Sequence, residues 1–446
     1  MGRYFGTDGI RGIASTIFTT EKTLRIGKSI GLFLREKFPS EELWVGIGRD
    51  SRTSGKMMED ALVEGLQAVG VNVKSYGILP TPGIARLFSM QQCHAGIVIS
   101  ASHNPAEHNG IKVFGAQGHK LKEQDEERIE HWIDHDHLEA SYSESLGKCI
   151  PIQDAAKLYA DSVIKQYPNL NLQGLKIAVD CSYGATCWTT PYVLRELGAE
   201  VLAVACEPRG ELINHNCGST FHQNIEDKAR EAGFQYDIAF SHDGDGDRVL
   251  ARYHGKLVDG DHLLAMIGIR RNQQHLLNPS MIVGTVMTNT GIERYLQQTG
   301  IQLYRSSVGD KYVLQDMIKF KATIGGEQSG HLIFMDKMQT GDGLISILET
   351  LQAAIPSHFR LLEEVEQIPL FFQELLNVTV ANKEAVLSSS LFADELEKIK
   401  NQYPEVRIVV RPSGTEPLFR ILTEAEDPLL AKQLAKQLAD IATNIR

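Results

Sequence analysis

The run Asp-Gly-Asp-Gly-Asp-Arg at 243–248 has the residue types and spacing of a metal site. Two glycines separate Asp243, Asp245 and Asp247, so the backbone can curl and direct all three carboxylates to one point. Such crowding favours a cation, and hard oxygen ligands select Mg²⁺ or Ca²⁺. An EF-hand needs Gly and Glu where Arg248 and His254 stand. The pattern predicts an open Mg²⁺ site, with a solvated acidic turn as the alternative.

A second candidate segment is Ser-Ala-Ser-His-Asn-Pro at 100–105, which follows an apolar run. It offers hydroxyls, an imidazole and an amide at a predicted strand end. A serine-hydrolase interpretation lacks the G-x-S-x-G elbow, and the adjacent side chains of Ser102 and His103 are expected to point apart. On composition alone, a structural turn around Asn104-Pro105 fits equally well.

A third segment, Arg-Pro-Ser-Gly-Thr-Glu-Pro at 411–417, lies between two predicted strands. The guanidinium of Arg411, the hydroxyls of Ser413 and Thr415 and the flexible backbone at Gly414 together suit phosphate binding. A tight turn without a ligand is the alternative.

Two further loops contribute polar side chains with less specific patterns. Glu327, Ser329 and His331 alternate along a glycine-flanked loop and could face one side, which suits recognition of sugar hydroxyls. The loop at 3–12 places Arg11 near the N-terminus, where an ordinary surface arginine is the alternative.

The elements that must position these loops alternate between short apolar strands and amphipathic helices, which is typical of parallel α/β sheets. The alternation occurs three times, and each round ends in one of the polar loops. The predicted closing strands are Ala95–Ile99, Ile238–Phe240 and Ala322–Ile324. Because ligands bind beyond the carboxyl ends of parallel strands, the three loops are expected to face one cleft.

The C-terminal part differs in kind. It reads as a strand at Val406–Val410, a loop at 411–417, a strand at 418–422 and a helix at about 428–444, which indicates a smaller α+β domain. Junctions are expected near 150–170, 250–260 and 360–375, where charged or proline-containing stretches interrupt the pattern.

Composition narrows the class of protein. The 446 residues exceed one ordinary core, and the net charge of -11 argues against nucleic acid or an anionic membrane as a partner. No apolar run reaches the ~18 residues of a membrane span, and the N-terminus has no signal-peptide core, so a cytoplasmic location is expected. The six cysteines form no CxxC pair, which favours reduced thiols over zinc or disulfides.

Taken in order, the motifs resemble those of the α-D-phosphohexomutase family over nearly the whole chain. They are Gly-Thr-Asp-Gly-Ile-Arg-Gly at 6–12, Ser-Ala-Ser-His-Asn-Pro at 100–105, Asn-Gly-Ile-Lys at 109–112, Asp-Gly-Asp-Gly-Asp-Arg at 243–248, Gly-Glu-Gln-Ser-Gly-His at 326–331 and Arg-Pro-Ser-Gly-Thr-Glu-Pro at 411–417.

The resemblance implies a four-domain, heart-shaped architecture with three related α/β domains and a C-terminal α+β domain. The expected domains are 1–155 with a phosphoserine loop, 156–255 with a metal-binding loop, 256–368 with a sugar-recognition loop and 369–446 with a phosphate-binding loop. Both the order of the loops and the α/β pattern agree with this fold class.

The resemblance also assigns roles to residues. It implies that Ser102 is phosphorylated in the active enzyme and that phosphoserine binds Mg²⁺ together with Asp243, Asp245 and Asp247. The implied catalytic residues are Ser102, His103, Lys112, Arg11 and Arg248. The implied substrate-binding residues are Glu327, Ser329, His331, Arg411, Ser413, Gly414 and Thr415.

Within the family, Tyr4-Phe5-Gly6, Gln328 and Val308-Gly309-Asp310 are most similar to the branch that interconverts glucosamine 6-phosphate and glucosamine 1-phosphate. That likeness implies a small sugar phosphate as partner, glucosamine 1,6-bisphosphate or glucose 1,6-bisphosphate as activator, and a monomer or homodimer. The alternatives are a mannose- or glucose-phosphate mutase, a Mg²⁺ phosphatase, or a non-catalytic binder of sugar phosphates. Three residues depart from the family pattern: His108, His242 and Lys311.

Overall fold

The computed structural model describes residues 3–6, 8–39, 41–135, 145–412 and 418–445. Within these ranges the chain forms four β-sheets, each with its own helices. The cysteines in these ranges are free thiols. No helix in the described part of the chain is long and apolar enough to cross a membrane.

The first sheet has the strand order β1-β5-β4-β2-β3-β6. Its strands are β1 (Ile10–Ile13), β2 (Trp44–Arg49), β3 (Asn72–Ile78), β4 (Ala95–Ile99), β5 (His108–Gly115) and β6 (Cys149–Pro151). Its helices are α1 (Ala14–Ile17), α2 (Thr20–Lys37), α3 (Gly55–Ala68), α4 (Thr81–Met90) and α5 (Glu123–Asp134). Every residue of β4 is buried, as expected for a central strand covered on both faces of the sheet.

The second sheet has the order β11-β10-β9-β7-β8. Its strands are β7 (Lys176–Asp180), β8 (Glu200–Val204), β9 (Ile238–His242), β10 (Val249–Tyr253) and β11 (Lys256–Val258). The helices are α6 (Ala155–Ile164), α7 (Thr189–Glu196) and α8 (Asn224–Glu231), with a 3₁₀ turn at Gly218–Phe221.

The third sheet has the order β13-β12-β14-β15. Its strands are β12 (Met281–Thr285), β13 (Gln302–Ser306), β14 (Ile324–Gly326) and β15 (Leu332–Phe334). Its helices are α9 (Gly260–Gln273), α10 (Thr290–Gln298), α11 (Asp310–Phe320), α12 (Gly343–Ala354) and α13 (Arg360–Glu366), with a 3₁₀ turn at Ile355–Ser357.

The three sheets share one arrangement of four strands. In each, a first strand lies between a second and a third strand that are parallel to it, and the third strand pairs antiparallel with the strand that follows it. The third strands are β4, β9 and β14. The polar loops predicted from the sequence follow these three strands, so the same position in each domain carries a site loop.

The fourth sheet is antiparallel, with the order β16-β18-β17. Its strands are β16 (Phe372–Thr379), β17 (Arg407–Pro412) and β18 (Leu418–Ala425), and its helices are α14 (Lys383–Ser388), α15 (Ser390–Gln402) and α16 (Pro428–Asn444). The sequence pattern predicted β17, β18 and α16 but not β16, α14 or α15. Strand β16 was missed because its start falls in a stretch that the pattern treated as a junction.

Candidate active site

One cleft brings together residues from all four sheets and their helices. It encloses a cavity of about 680 Å³. Among its lining residues are Asp8 and His103 from the first domain, Asp247 from the second, Glu327 from the third and Arg411 from the fourth. The expectation that the polar loops face one cleft is therefore confirmed.

Ser102 lies directly beyond the end of β4, almost fully buried. Its φ of 50° is in the left-handed region, which a non-glycine residue adopts at a cost of about 1–2 kcal/mol. The backbone N–H of Ser102 donates to Ser100 Oγ at 2.8 Å, and its hydroxyl donates to Asp243 Oδ2 at 2.6 Å. The strained backbone thus directs the hydroxyl into the aspartate cluster.

The expectation that Ser102 and His103 point apart is wrong. His103 Nδ1 lies 3.4 Å from Ser102 Oγ, because the left-handed backbone at Ser102 turns the next residue back toward it. Arg248 donates to the same nitrogen at 3.1 Å, and since a guanidinium can only donate, the ring proton resides on Nε2. Burial, followed by the charges of Arg248 and Arg11, lowers the pKa of His103 to about 4.

The three aspartates lie close enough for one ion. One carboxylate oxygen from each of Asp243, Asp245 and Asp247 is within 4.8 Å of the other two, and all three residues are buried. Asp243 Oδ1 accepts from the backbone N–H groups of Gly246 and Arg248 at 3.1 and 3.3 Å. The backbone of the loop that follows β9 therefore binds the side chain of the loop's first residue, Asp243.

The carboxylates fit a divalent cation. Asp245 Oδ1 and Asp247 Oδ1 are buried and have no hydrogen-bond partner, although buried polar atoms are nearly always paired. Burial, then the charges of Asp247 and Asp245, raises the pKa of Asp243 well above its usual range. A bound divalent cation would satisfy these two unpaired oxygens and stabilise the disfavoured third charge.

Lys112, on β5, supplies positive charge at the same point. Its ammonium lies 2.9 Å from Asp245 Oδ2, 3.8 Å from Asp247 Oδ2 and 3.3 Å from Asp8 Oδ2. Burial acts to lower the pKa of Lys112, but the three carboxylates outweigh it and raise the pKa above its usual range. Arg11 pairs with Asp8 and lines the cleft.

The loop after β14 places Glu327, Ser329 and His331 on the cleft. Glu327 Oε1 accepts from the N–H of Gly309 at 3.0 Å. His331 is buried: its Nε2 accepts from the N–H of Gly341 at 3.1 Å, and its Nδ1 lies 3.6 Å from Asp247 Oδ2. Glu327 and Ser329 are thus the more accessible of the three predicted sugar-binding residues.

In the fourth domain, Arg411 reaches the cleft from β17. Burial and the neighbouring charge of Arg420 lower the pKa of Arg411. Arg420 stands directly opposite it on β18 and also lines the cleft. Like charges at opposite positions destabilise a strand pair, so the two arginines suit an anion between them. Ser413, Gly414 and Thr415 lie outside the described residues.

Sequence reasoning missed Lys120, which links two domains at the cleft. Its ammonium lies 2.5 Å from Asp8 Oδ1 and 2.6 Å from Asp310 Oδ2. Lys311, the neighbour of Asp310, lies 3.4 Å from Glu123. No short motif contains Lys120, so only the approach of α11 to the first domain identifies it. Arg420 was missed because it stands outside the Arg-Pro-Ser-Gly-Thr motif.

His242, a departure from the expected pattern, sits immediately before the aspartates. Its Nε2 lies 3.0 Å from Thr190 Oγ1 and its Nδ1 3.2 Å from the carbonyl of Arg248. Burial lowers its pKa to about 4, so the ring is neutral at pH 7 and adds no charge to the aspartate cluster.

The chain matches four family models along its length. Those for the α/β/α domains I, II and III of phosphoglucomutase/phosphomannomutase match residues 2–139, 157–254 and 259–371. The model for the C-terminal domain of the same family matches residues 375–441.

Full-length relatives are similar as well. The phosphoglucosamine mutase of Carboxydothermus hydrogenoformans is 40% identical over 441 residues, and the match covers 98% of each chain. The phosphoglucosamine mutase of Methylobacillus flagellatus is 41% identical over 447 residues, again with 98% of each chain covered.

Solved structures share the fold. A phosphoglucomutase/phosphomannomutase family protein from Burkholderia thailandensis superposes with a TM-score of 0.82 at 22% identity, covering 99% of this chain and 98% of that one. The N-acetylphosphoglucosamine mutase of Aspergillus fumigatus, solved with GlcNAc-6P and magnesium, superposes with a TM-score of 0.66 at 16% identity, covering 99% and 95%.

Proposed function

The chain belongs to the phosphoglucomutase/phosphomannomutase family, and we propose that it interconverts glucosamine 6-phosphate and glucosamine 1-phosphate by moving a phosphoryl group through Ser102. It is an intramolecular phosphotransferase of the isomerase class. The observation that carries the proposal is the position of Ser102, whose hydroxyl meets the aspartate cluster at the carboxyl end of β4. Its product would feed the synthesis of UDP-N-acetylglucosamine and cell-wall precursors.

The reaction conserves phosphate. The phosphoryl group on Ser102 passes to the free hydroxyl of the sugar phosphate, so the Ser102 oxygen–phosphorus bond breaks and a sugar oxygen–phosphorus bond forms, giving a 1,6-bisphosphate. The bisphosphate reorients in the cleft, and its other phosphoryl group returns to Ser102. Glucosamine 1,6-bisphosphate or glucose 1,6-bisphosphate would therefore activate an unphosphorylated enzyme.

Asp243, Asp245, Asp247 and the Ser102 oxygen would hold Mg²⁺, and their orphaned, crowded oxygens support this assignment. A bound Mg²⁺ ion would supply positive charge that neutralises the transferring phosphoryl group. The backbone N–H groups of Gly246 and Arg248 hold the Asp243 carboxylate in the aspartate cluster, so its orientation does not depend on the ion.

Positive side chains would lower the electrostatic barrier. Two dianions at ~4 Å repel by about 4 kcal/mol per unit-charge pair at an effective dielectric constant of ~20, or about 16 kcal/mol over their four pairs. Lys112 and Arg248 flank the aspartates, and Arg11 lines the cleft beside them. We assign these three cations to stabilising the charge on the transferring group.

The sugar hydroxyl that receives the phosphoryl group loses its proton, and that proton needs an acceptor. His103 is neutral at pH 7 and lies beside Ser102, whereas Lys112 is held protonated by three carboxylates. A group must be unprotonated to accept a proton, so we assign this step to Nδ1 of His103, with Arg248 giving up its hydrogen bond to that nitrogen as the proton arrives. Lys112 then acts as a fixed positive charge.

Substrate recognition would involve the third and fourth domains. We assign the sugar hydroxyls to Glu327 and Ser329, with His331 supporting them from the interior. Arg411 would hold the phosphate that does not react, joined by the loop residues Ser413, Gly414 and Thr415. The domain boundaries 1–155, 156–255, 256–368 and 369–446 belong to the same proposal.

The test is the intact mass of the protein before and after phosphatase treatment, with the modified peptide mapped, alongside mutase activity of Ser102→Ala. We expect one phosphoryl group on Ser102 and loss of activity in Ser102→Ala, even with a sugar bisphosphate present. Ser51→Ala, whose hydroxyl donates to the carbonyl of Tyr183 instead, is the matched control and should keep the modification. Full activity of Ser102→Ala would overturn the proposal.

A second assay separates the alternatives. Turnover of glucosamine, glucose and mannose 6-phosphates is compared side by side, and inorganic phosphate is measured in the same samples. Preference for the amino sugar is expected. A faster reaction with mannose or glucose phosphate, release of phosphate in place of the isomer, or binding without turnover would each replace the proposed activity with one of the alternatives.

A further inference from the structure

Arg52 is a buried arginine that is not among the residues that line the cleft or that carry the proposed phosphoryl transfer. It follows β2 in the loop before α3, and its side chain has no exposed surface. Its Nε donates to Asp50 Oδ2 at 3.0 Å, and its two terminal nitrogens donate to backbone carbonyls. A buried guanidinium needs such complete pairing, because an unpaired charge in the interior is very costly.

The carbonyls that surround Arg52 belong to the loop that carries Ser102 and to the first residue of β5, which follows that loop. One terminal nitrogen binds the carbonyls of Ser102 and Asn104 at 2.9 and 2.8 Å. The other binds the carbonyls of Pro105 and His108 at 2.5 and 2.9 Å. The loop between β4 and β5 is therefore wrapped around one planar cation.

The Asp50–Arg52 pair fixes Ser102 from both sides of its backbone. Arg52 holds its carbonyl, while Asp50 Oδ2 accepts from the hydroxyl of Ser100 at 2.6 Å. Ser100 Oγ in turn accepts from the N–H of Ser102 at 2.8 Å. The backbone C=O and N–H of Ser102, whose φ is 50°, are thus both connected by hydrogen bonds to the Asp50–Arg52 ion pair.

A strained conformation persists only where its surroundings over-determine it. Without these bonds, Ser102 would relax toward a common backbone conformation, and its hydroxyl would turn away from Asp243. Asn214, from the second domain, also donates to the carbonyls of Ser102 and Asn104, at 2.8 and 3.1 Å. Asn214 binds only two of the four carbonyls, so it does not replace Arg52.

We propose that Arg52 is a positioning residue for phosphoryl transfer, which holds the Ser102 loop in the conformation that presents the hydroxyl to the aspartate cluster. The inference rests on the proposed function of Ser102. Lysine would keep the charge but not the role, because an ammonium cannot reach four carbonyls and a carboxylate in the geometry of a planar fork.

The experiment compares Arg52→Lys with the unmodified enzyme and with Arg271→Lys. Arg271 is also buried and pairs with two carboxylates, Asp336 at 2.9 Å and Glu349 at 2.8 Å, both of which lie outside the cleft loops. For each protein the measurements are kcat, KM, the thermal unfolding temperature and the dissociation constant of glucosamine 6-phosphate.

For Arg52→Lys we expect kcat to fall about 100-fold, since displacing a reacting group by ~1 Å costs that much. The dissociation constant of glucosamine 6-phosphate should change by no more than about twofold, because the sugar-binding residues belong to other loops. Arg271→Lys should lower the unfolding temperature but keep kcat within about twofold.

Ser100→Ala is the second variant, used in case Arg52→Lys does not fold. This substitution removes only the two hydrogen bonds of the Ser100 hydroxyl, to Asp50 and from the Ser102 N–H. It should lower kcat and leave the substrate affinity unchanged. The inference is overturned if a folded Arg52→Lys keeps kcat within about twofold of the unmodified enzyme. If Arg52→Lys does not fold, the same result in Ser100→Ala overturns it. Equal losses of kcat and of substrate affinity would overturn it as well. If Ser102→Ala is inactive while Arg52→Lys is fully active, the positioning role fails and the proposed function stands.

Discussion

At the scale of single residues, charge and strain are concentrated around one hydroxyl. Ser102 is held in a left-handed conformation, three buried carboxylates lie beside it, and Lys112 contacts two of them. Each feature alone destabilises a folded chain, since buried charges and strained backbones cost free energy. Together they form a site in which a cation and a phosphoryl group complete the pairing.

Replacing Lys112 tests its role as a fixed charge. Lys112→Met should lower kcat about 100- to 1,000-fold, because a preorganised charge at the transferring group is removed. Lys112→Arg should recover part of the rate. Lys74→Met, which removes a half-buried lysine that donates to the carbonyl of Gln91 on the same domain, is the control. A Lys112→Met enzyme as active as this control would contradict the assignment.

Arg420 should contribute to phosphate binding although it lies outside the recognised motif. Arg420→Gln should weaken binding of glucosamine 6-phosphate and of inorganic phosphate about 10- to 100-fold, the loss expected for a charged hydrogen bond. Isothermal titration calorimetry measures both constants. Arg294→Gln, which removes an exposed arginine paired with Glu426, should leave both unchanged. Equal affinities in the two variants would exclude Arg420 from the phosphate site.

At the scale of secondary structure, helix ends support the packing that the loops depend on. Asp342 caps α12 by accepting from the N–H groups of Leu344 and Ile345, at 3.0 and 3.1 Å. The same carboxylate accepts from the hydroxyl of Tyr159 on α6, with both oxygens 2.9 Å away. One side chain thereby joins a helix of the third domain to a helix of the second.

Asp342→Ala should therefore lower the free energy of unfolding by more than the loss of an ordinary helix cap does. We expect a loss of about 2–4 kcal/mol, because the cap is removed and buried donors are left unpaired. Asp427→Ala, which removes the exposed cap of α16, should cost about 1 kcal/mol. Urea unfolding followed by circular dichroism compares the two, and a smaller loss in Asp342→Ala than in Asp427→Ala would contradict the interpretation.

At the scale of the whole molecule, the cleft is held together by contacts between domains. Lys120 joins Asp8 of the first domain to Asp310 of the third, and the Ser102 hydroxyl joins the first domain to Asp243 of the second. Burial acts to lower the pKa of Lys120, but Asp310 and Asp8 raise it, so the ammonium stays charged at pH 7.

Breaking the Lys120 contact should loosen the cleft. Lys120→Met should raise KM and lower the unfolding temperature, since two largely buried carboxylates lose their cation. Adding Asp310→Asn should cost less in Lys120→Met than in the unmodified enzyme, as a double-mutant cycle reveals. Lys37→Met, which breaks the more exposed pair with Asp125 on the same domain, should have little effect. Additive effects of the two cleft substitutions would show that the pair is not coupled.

Mg²⁺ should stabilise the assembled cleft, because its proposed ligands come from two domains. At 100 times its dissociation constant, the ion should add about 2.7 kcal/mol of stability. Thermal unfolding with EDTA and then with excess MgCl₂ measures the shift. Asp245→Asn should reduce it strongly, and no shift in the unmodified protein would contradict the metal assignment.

The sequence alone determined the fold class, the repeated α/β pattern and the loops that carry the site. Strands β4 and β9 could be located because buried strands covered on both faces are continuous apolar runs. Strand β14 (Ile324–Gly326) shares only Ile324 with the predicted strand at 322–324, because its last two residues are glycines that carry no apolar signal. The polar residues that follow all three strands mark the edge where ligands bind. The residues of the Asp-Gly-Asp-Gly-Asp run are contiguous in the sequence, so their spacing can be recognised without knowing the fold.

Only the tertiary structure decided which residues meet across the cleft. Lys120 and Asp310 are 190 residues apart, and the four carbonyls around Arg52 belong to residues 50 to 56 positions later, so no local pattern could pair them. The left-handed backbone at Ser102, which overturned the expected separation from His103, also depends on those distant bonds. Local spacing specifies which groups are available, whereas the packing of the domains specifies where their charges lie.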